Sequence, residues 1–363
     1  MRLHPLFGHS KARRQVAQAL RGGRLPQVVL VTGPTGIGKQ RFALWMAQLL
    51  LCQDPGEEPC GVCRSCRSAL GLAHPDLHWF VPIPRPKSAG GGGDADRQIE
   101  EAEGLLAEAI AARREQPCYE PADGMAFHSL ASVRLLLRRA ALTPAAGARK
   151  VFVMGEADRL VPQESSPEAA NAILKFLEEP PLDTWVLLTA SEAERVLPTI
   201  RSRVVPIRLS RLSDSEVREC VDQVSGSSLA GEALDLLVRQ ADGAVGRLAG
   251  PGGLGSGTGA GERALRALTA ARGLLASLED TPGARFERAL RQPPWAARGS
   301  FTDLLDALSG ELAERARTAP TRERVESLVT ALDRVATARE QAQGNLNPQL
   351  LLADLADELA EVL

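Results

Sequence analysis

The stretch VVLVTGPTGIGKQ, residues 28–40, constrains the fold more than any other part of the chain. Its apolar, β-branched start is a buried strand, the glycine-rich middle is a turn, and KQRFALWMAQLLL beyond it is a helix. The spacing Gly33-x4-Gly38-Lys39 in that context is the one used by phosphate-binding loops. Glycines at 33, 36 and 38 let backbone N–H groups converge on phosphate oxygens. The helix N-terminus adds partial positive charge, and Lys39 can reach the β- and γ-phosphates. The alternative is a plain glycine-rich strand-to-helix turn in which Lys39 meets no anion or holds a carboxylate. Two further apolar runs, KVFVM (150–154) and TWVLLTA (184–190), alternate with helix-like segments. That alternation predicts an α/β fold: a parallel sheet with helices on its faces.

The position after the lysine breaks the pattern. A magnesium-dependent loop needs a Ser or Thr hydroxyl there, and this chain has Gln40. The second metal element is an acidic residue closing a later apolar strand, and its candidate is KVFVMGEAD, residues 150–158. Gly155 holds the expected acidic position, with Glu156 and Asp158 just beyond it. Glu156 could still orient a water, but the charge on a transferring phosphoryl group would be poorly neutralised. Two losses of one function predict negligible ATP hydrolysis by the chain alone. They also predict no magnesium site of its own, and ATP or ADP binding that is weak or absent.

Four of six cysteines cluster as C-x7-C-x2-C-x2-C: Cys52, Cys60, Cys63 and Cys66. Four thiolates at that spacing suit a closed, tetrahedral, structural zinc site. An iron–sulfur cluster or uncoordinated thiols are the alternatives, the former lacking its usual following C-x3-C-P. His74 and His78 lie nearby but would be surplus to a filled tetrahedron. Cys118 and Cys220 are isolated and read as ordinary buried residues.

A chain of 363 residues suggests two or three domains, at roughly 100–200 residues each. PIPRPKSAGGGGDAD (82–96) has the composition of a flexible excursion, and IEEAEGLLAEAIAARREQ after it reads as a short helix within an insertion ending near 127. AGPGGLGSGTGAGE, from 249, is a glycine-rich linker, and from 262 onward apolar residues recur three and four apart, as in a helical bundle. A net charge of −2 excludes a global basic field, leaving local patches for any nucleic-acid contact. One candidate is the polar side of SVRLLLRRAAL, with Arg134, Arg138 and Arg139, which could equally be solvated or face a subunit. No segment has the roughly 20 apolar residues of a membrane span, and the N-terminus lacks a secretory h-region, so a cytoplasmic protein is expected.

The cysteines directly after the phosphate-loop helix, followed by GLAHPDLHW, resemble clamp-loader subunits of the bacterial replicative DNA polymerase III, an AAA+ family. NAILKFLEEPP (171–181) is similar to that family's Asn-Ala-Leu-Leu-Lys-x-Leu-Glu-Glu-Pro-Pro segment. Its Ala170, Ile173, Leu174 and Leu177 make one apolar face, and Pro180-Pro181 end the helix. LPTIRSRV (197–204) resembles the family's Ser-Arg-Cys motif with Val204 in place of the cysteine, ADGAVGR its sensor-2 region, and GNLNPQLLLADLADEL its last collar helix.

The resemblance implies an AAA+ P-loop parallel-sheet domain over 1–207, with a zinc module at 52–66 and the insertion at about 82–127. It further implies a small helical lid over 208–248, the linker at 249–261 and an all-α collar domain over 262–363. It makes Arg203 an arginine finger aimed across a subunit interface at a neighbour's ATP, a role suited to an always-charged, planar guanidinium. In isolation the same residue reads as a surface arginine paired with nearby carboxylates. Gly33, Gly36, Gly38, Lys39, Gln40, Glu156 and Arg247 become a degenerate nucleotide site. Structural zinc, a defective ATP site and a retained trans-acting arginine together resemble the family's δ′ branch. The implied partners are γ/τ motor subunits and δ in a hetero-oligomeric ring, the sliding clamp, and primer-template DNA through the assembly, with no membrane. The rival readings are an active γ/τ-type ATPase and a small-molecule P-loop enzyme such as a nucleotide kinase.

Overall fold

The computed structural model describes residues 3, 5–86, 94–115, 126–160, 168–225, 231–248, 260–291, 298–342 and 347–363. It divides into two compact units: Met1–Cys220 with Asp242–Ala249, and Val221–Ala241 with Gly250–Leu363. Among the described residues no helix is long and apolar enough to cross a membrane.

The first unit runs α1 (Ser10–Arg21), β1 (Val28–Thr32), α2 (Lys39–Leu51), α3 (Arg64–Leu70), β2 (Leu77–Phe80), α4 (Ala95–Glu115), α5 (Leu130–Ala140) and β3 (Lys150–Met154). It continues with α6 (Glu168–Glu178), β4 (Thr184–Ala190), α7 (Pro198–Arg201) and β5 (Val205–Arg208). Helix α8 (Asp214–Ser225) contains the boundary between the units. The strands form one parallel sheet in the order β2-β3-β4-β1-β5. This is the parallel sheet that the alternating apolar runs predict. Strands β1 and β3 are buried throughout and β4 nearly so, which is why they read as continuous apolar runs. Helix α2 is apolar almost all round, and Phe42, Met46 and Leu49 are fully buried against the sheet.

Strands β2 and β5 carry no such signal. Both are four-residue edge strands, and β5 is mostly exposed with a proline inside it, tolerated because an edge has an unpaired side. In the register, Thr32 pairs with Ala190 and Met154 with Leu188. The turns after β1, β3 and β4 therefore leave the same edge of the sheet, where ligands of open parallel sheets bind.

The insertion is closed at its base by an antiparallel bridge between Ile83 and Phe127. Residues 87–93 and 116–125, within the stretch expected to be flexible, lie outside the described residues. The piece expected as a short helix is the 21-residue α4, which buries Ile99, Ala102 and Leu106 in the main core. Spacing of three and four puts those side chains on one face. Helix α5 buries Leu135 with Val133 and Leu136, and α4 covers part of its basic side: Glu103 pairs with Arg139 at 2.5 Å and Arg138 at 3.3 Å. Buried Lys150 donates to the carbonyls of Arg139 (3.0 Å), Ala140 (3.5 Å) and Leu142, capping the C-terminus of α5.

The second unit holds α9 (Glu232–Ala241), α10 (Ala260–Ala276), α11 (Pro282–Leu290), α12 (Arg298–Thr318), α13 (Arg322–Gln341) and α14 (Pro348–Val362). Its separate core is built from Leu305, Leu308 and Leu312 of α12, Ala331 and Val335 of α13, and Leu355 and Leu359 of α14. Thr281, Thr321 and Asn347 cap α11, α13 and α14 with their side chains, and α11 and α14 have proline in the first turn. Of the expected linker, residues 249–259 lie outside the described residues, and α10 already starts at Ala260.

Candidate functional site

Three glycines shape the loop after β1, with φ of 143° at Gly33, 85° at Gly36 and 90° at Gly38. A Cβ at Gly33 would collide with the Leu209 carbonyl and Ile37, and one at Gly36 would press on the Arg247 amide at 3.2 Å. The backbone of 244–247 lies against the loop, with Gly246 N–H donating to Gly36 O at 2.8 Å. Arg247 is thus brought beside the loop by its main chain. Its half-exposed side chain turns to Asp242 at 3.1 Å, which Arg211 also engages.

Lys39 is folded into the loop. Its buried Nζ donates to Gly33 O and Pro34 O, each at 2.8 Å. Burial pushes its pKa down to about 8, against the pull of Asp158 and Glu156. The loop's own carbonyls occupy the ammonium that would meet phosphate.

Gln40, Gly155 and Glu156 converge. Gln40 Nε2 donates to Glu156 Oε1 at 3.1 Å, while Gln40 Oε1 is buried without a hydrogen-bond partner among the described residues. The amide lies where a side chain at 155 would start: a Cβ on Gly155 would sit 2.5 Å from Gln40 Oε1 and 2.6 Å from its Cδ. Glu156 adopts φ 55°, and its N–H donates to Thr189 Oγ1 at 3.0 Å. Its carboxylate also faces Arg159 at 3.0 Å and Arg113 at 4.0 Å. Burial raises its pKa, and the two guanidinium groups oppose the rise. His128 fixes the turn from the other side, its Nε2–H donating to Gly155 O at 2.7 Å. Full burial drives its pKa down to about 4, so the ring is neutral at pH 7. Gly155 offers no side-chain oxygen to a cation here, and the nearby Glu156 carboxylate already faces two arginines and an amide.

Arg113, His128, Arg159 and Thr189 were not among the residues singled out from sequence. Arg113 arrives from α4, inside a stretch whose proline and glycine content hid a core helix. Only Arg159, four residues past Gly155, lies where a local scan could have found it.

The four cysteine sulfurs lie within 4.8 Å of one another, a group that could hold a metal ion. Cys52 ends α2 and Cys63 caps α3. Backbone N–H groups aim at the sulfurs, Cys60 N at Cys52 Sγ (3.3 Å), Cys63 N at Cys60 Sγ (3.4 Å) and Cys66 N at Cys63 Sγ (3.3 Å). Glu58, inside this loop, ties it to the rest of the domain, accepting from Trp45 Nε1 at 2.7 Å and pairing with Arg13 at 2.6 Å. His74 and His78 stay out: His74 Nδ1 accepts from Asp76 N–H, and His78 stacks on Phe152 at 4.8 Å. Cys220 is buried, and Cys118 lies outside the described residues.

Arg203 follows α7 at a partly exposed position. Nε donates to Glu178 Oε1 at 2.6 Å, and NH1 donates to Thr199 O at 2.6 Å and Ser202 Oγ at 3.1 Å. These partners belong to α6, α7 and the turn after it, and none to the phosphate loop.

A family model described as "DNA polymerase III, delta subunit" matches residues 8–213. The chain is 34% identical over 187 residues to DNA polymerase III subunit delta′ of Pseudomonas aeruginosa, covering 51% of this chain and 44% of that one. It is 26% identical over 196 residues to the delta′ subunit of Bacillus subtilis, covering 54% and 46%. Against the gamma/tau subunit of Mycobacterium tuberculosis it is 30% identical over 207 residues, covering 56% of this chain and 28% of the other. The match thus spans under half the length of these curated relatives. With the family model covering more than half of its own length, the chain belongs to the DNA polymerase III delta-subunit family, in its delta′ type.

Proposed function

We propose that the chain is a non-motor, delta′-type member of a DNA polymerase III clamp loader. In this reading it joins gamma/tau-type motor subunits and a delta subunit in a hetero-oligomeric ring that loads the sliding clamp on primer-template DNA. Its names come from its relatives; the observation that carries the non-motor part is the interlock of Gln40 with Gly155. An amide stands where a metal-binding carboxylate would begin, and Lys39 is tied to loop carbonyls. The chemistry of phosphoryl transfer depends on neutralising charge on the transferring group, and this site offers neither a hydroxyl at 40 nor a carboxylate at 155 to hold a metal ion for it.

Arg203 supplies that charge to the neighbouring subunit's ATP. Its guanidinium is planar, permanently charged and a third exposed, which suits contact with a phosphate across an interface. Zinc in the Cys52, Cys60, Cys63 and Cys66 cluster acts as a structural staple. The identity to gamma/tau subunits and the retained Lys39 favour the rival reading, an active ATPase, which predicts magnesium-dependent turnover by the isolated chain.

The deciding experiment measures ATP hydrolysis by the purified chain, and by a reconstituted complex with and without Arg203→Ala. The expected result is no turnover by the chain alone and a large loss of clamp-stimulated turnover in the variant complex. Turnover by the isolated chain that Lys39→Ala abolishes would establish the rival.

A further inference from the structure

Arg203 is gripped along two edges by its own chain. On one edge Nε donates to Glu178 Oε1 at 2.6 Å and NH2 faces the same oxygen. On the other, NH1 reaches Thr199 O at 2.6 Å and Ser202 Oγ at 3.1 Å. The supports are rigid. Glu178 is the last residue of α6, which buries Ile173 and Leu177 in the core, and Thr199 belongs to α7, pinned by fully buried Ile200. A long side chain fixed by packed elements on two sides keeps one rotamer, which a surface arginine otherwise lacks.

Helix electrostatics alone would not put Glu178 there. A carboxylate at a helix C-terminus faces the partial negative charge of the last carbonyls, and Glu179 adds a second one. The guanidinium of Arg203 offsets that repulsion. Since the pair is exposed, Glu178 yields readily when a stronger anion arrives.

We propose that Glu178 is a positioning residue for Arg203: its contact with Nε and NH2 pre-sets the guanidinium for the neighbour's phosphates. This rests on the trans-acting reading of Arg203. Because the gain comes from orientation and not from added binding, it belongs to kcat more than to KM for ATP.

The test uses the full chain reconstituted with gamma/tau-type and delta subunits, with turnover measured per assembled complex. Glu178→Ala is expected to lower kcat by about three- to thirty-fold at nearly constant KM. Glu178→Gln, which keeps an acceptor of the same reach, is expected to restore kcat to within about two-fold. Glu178→Ala added to Arg203→Ala should lower turnover no further than Arg203→Ala alone. If Glu178→Ala leaves kcat unchanged while Arg203→Ala lowers it, the positioning role is wrong and the trans-acting arginine stands. Additive losses in the double variant also overturn the positioning role. If Arg203→Ala itself has no effect, the trans-acting reading falls, and this inference with it.

Discussion

A Cβ on Gly155 would lie 2.5 Å from Gln40 Oε1, so positions 40 and 155 cannot change independently. Gly155→Ala should destabilise the protein by roughly 1–3 kcal/mol through overpacking. The same change in a Gln40→Ala background should cost at least about 1 kcal/mol less, as judged by urea midpoints. Equal costs in the two backgrounds would mean the collision is relieved elsewhere. His128 gives a pH signature at the same turn. Its folded pKa of about 4 lies below the ordinary 6.5, so between those values the unfolded chain binds more protons than the native one. Stability from this group is complete above about pH 6.5 and is lost as pH falls towards 4, at most by about 3 kcal/mol. His128→Leu should flatten that part of the stability–pH curve relative to wild type, whatever it does to absolute stability; parallel curves would contradict the assignment. Lys150 is the third such residue. Lys150→Met leaves the last carbonyls of α5 without their buried donor and should cost roughly 1–3 kcal/mol in denaturant unfolding.

Elements were legible in proportion to how much apolar pattern their position demands. Strands β1, β3 and β4 and helix α2 are enclosed by the fold, and enclosure writes long apolar runs. Strands β2 and β5 stand at sheet edges, where four residues and one covered side write almost nothing. Helix α4 was half legible: its three-four spacing was visible, but the Pro/Gly stretch before it hid the fact that Ile99, Ala102 and Leu106 enter the main core. The loop geometry of Gly33, Gly36 and Gly38 and the cysteine cluster could be read because local spacing sets them. Arg113 and His128 could not, since only tertiary packing brings them to Gly155 and Glu156. The cysteine loop makes an element-scale prediction. With zinc bound as proposed, chelation should raise amide exchange in α3 and residues 52–66 by about tenfold or more, while β1 and β3 stay protected. Unchanged exchange in α3 would argue against a bound metal. Glu58 joins that loop to Arg13 and Trp45, so loosening should extend to α1.

Among the described residues, two hydrophobic cores have no residue in common, one under the parallel sheet and one among helices of the C-terminal region. Separate cores are the physical basis for separate cooperative transitions. Leu308 is fully buried in the second core, and Leu308→Ala should remove about 2–5 kcal/mol from one calorimetric transition while leaving the other in place. A single transition that shifts as a whole would show the cores to be coupled.

The contact between Gln40 and Gly155 also bears on how such a sequence can drift. An acidic residue introduced at 155 first meets the Gln40 amide, and replacing Gln40 first exposes a void beside Glu156 without adding a carboxylate. Each single step is harmful or idle, and only the pair would be useful. A sequence in this arrangement is held there by its own packing, as by a ratchet.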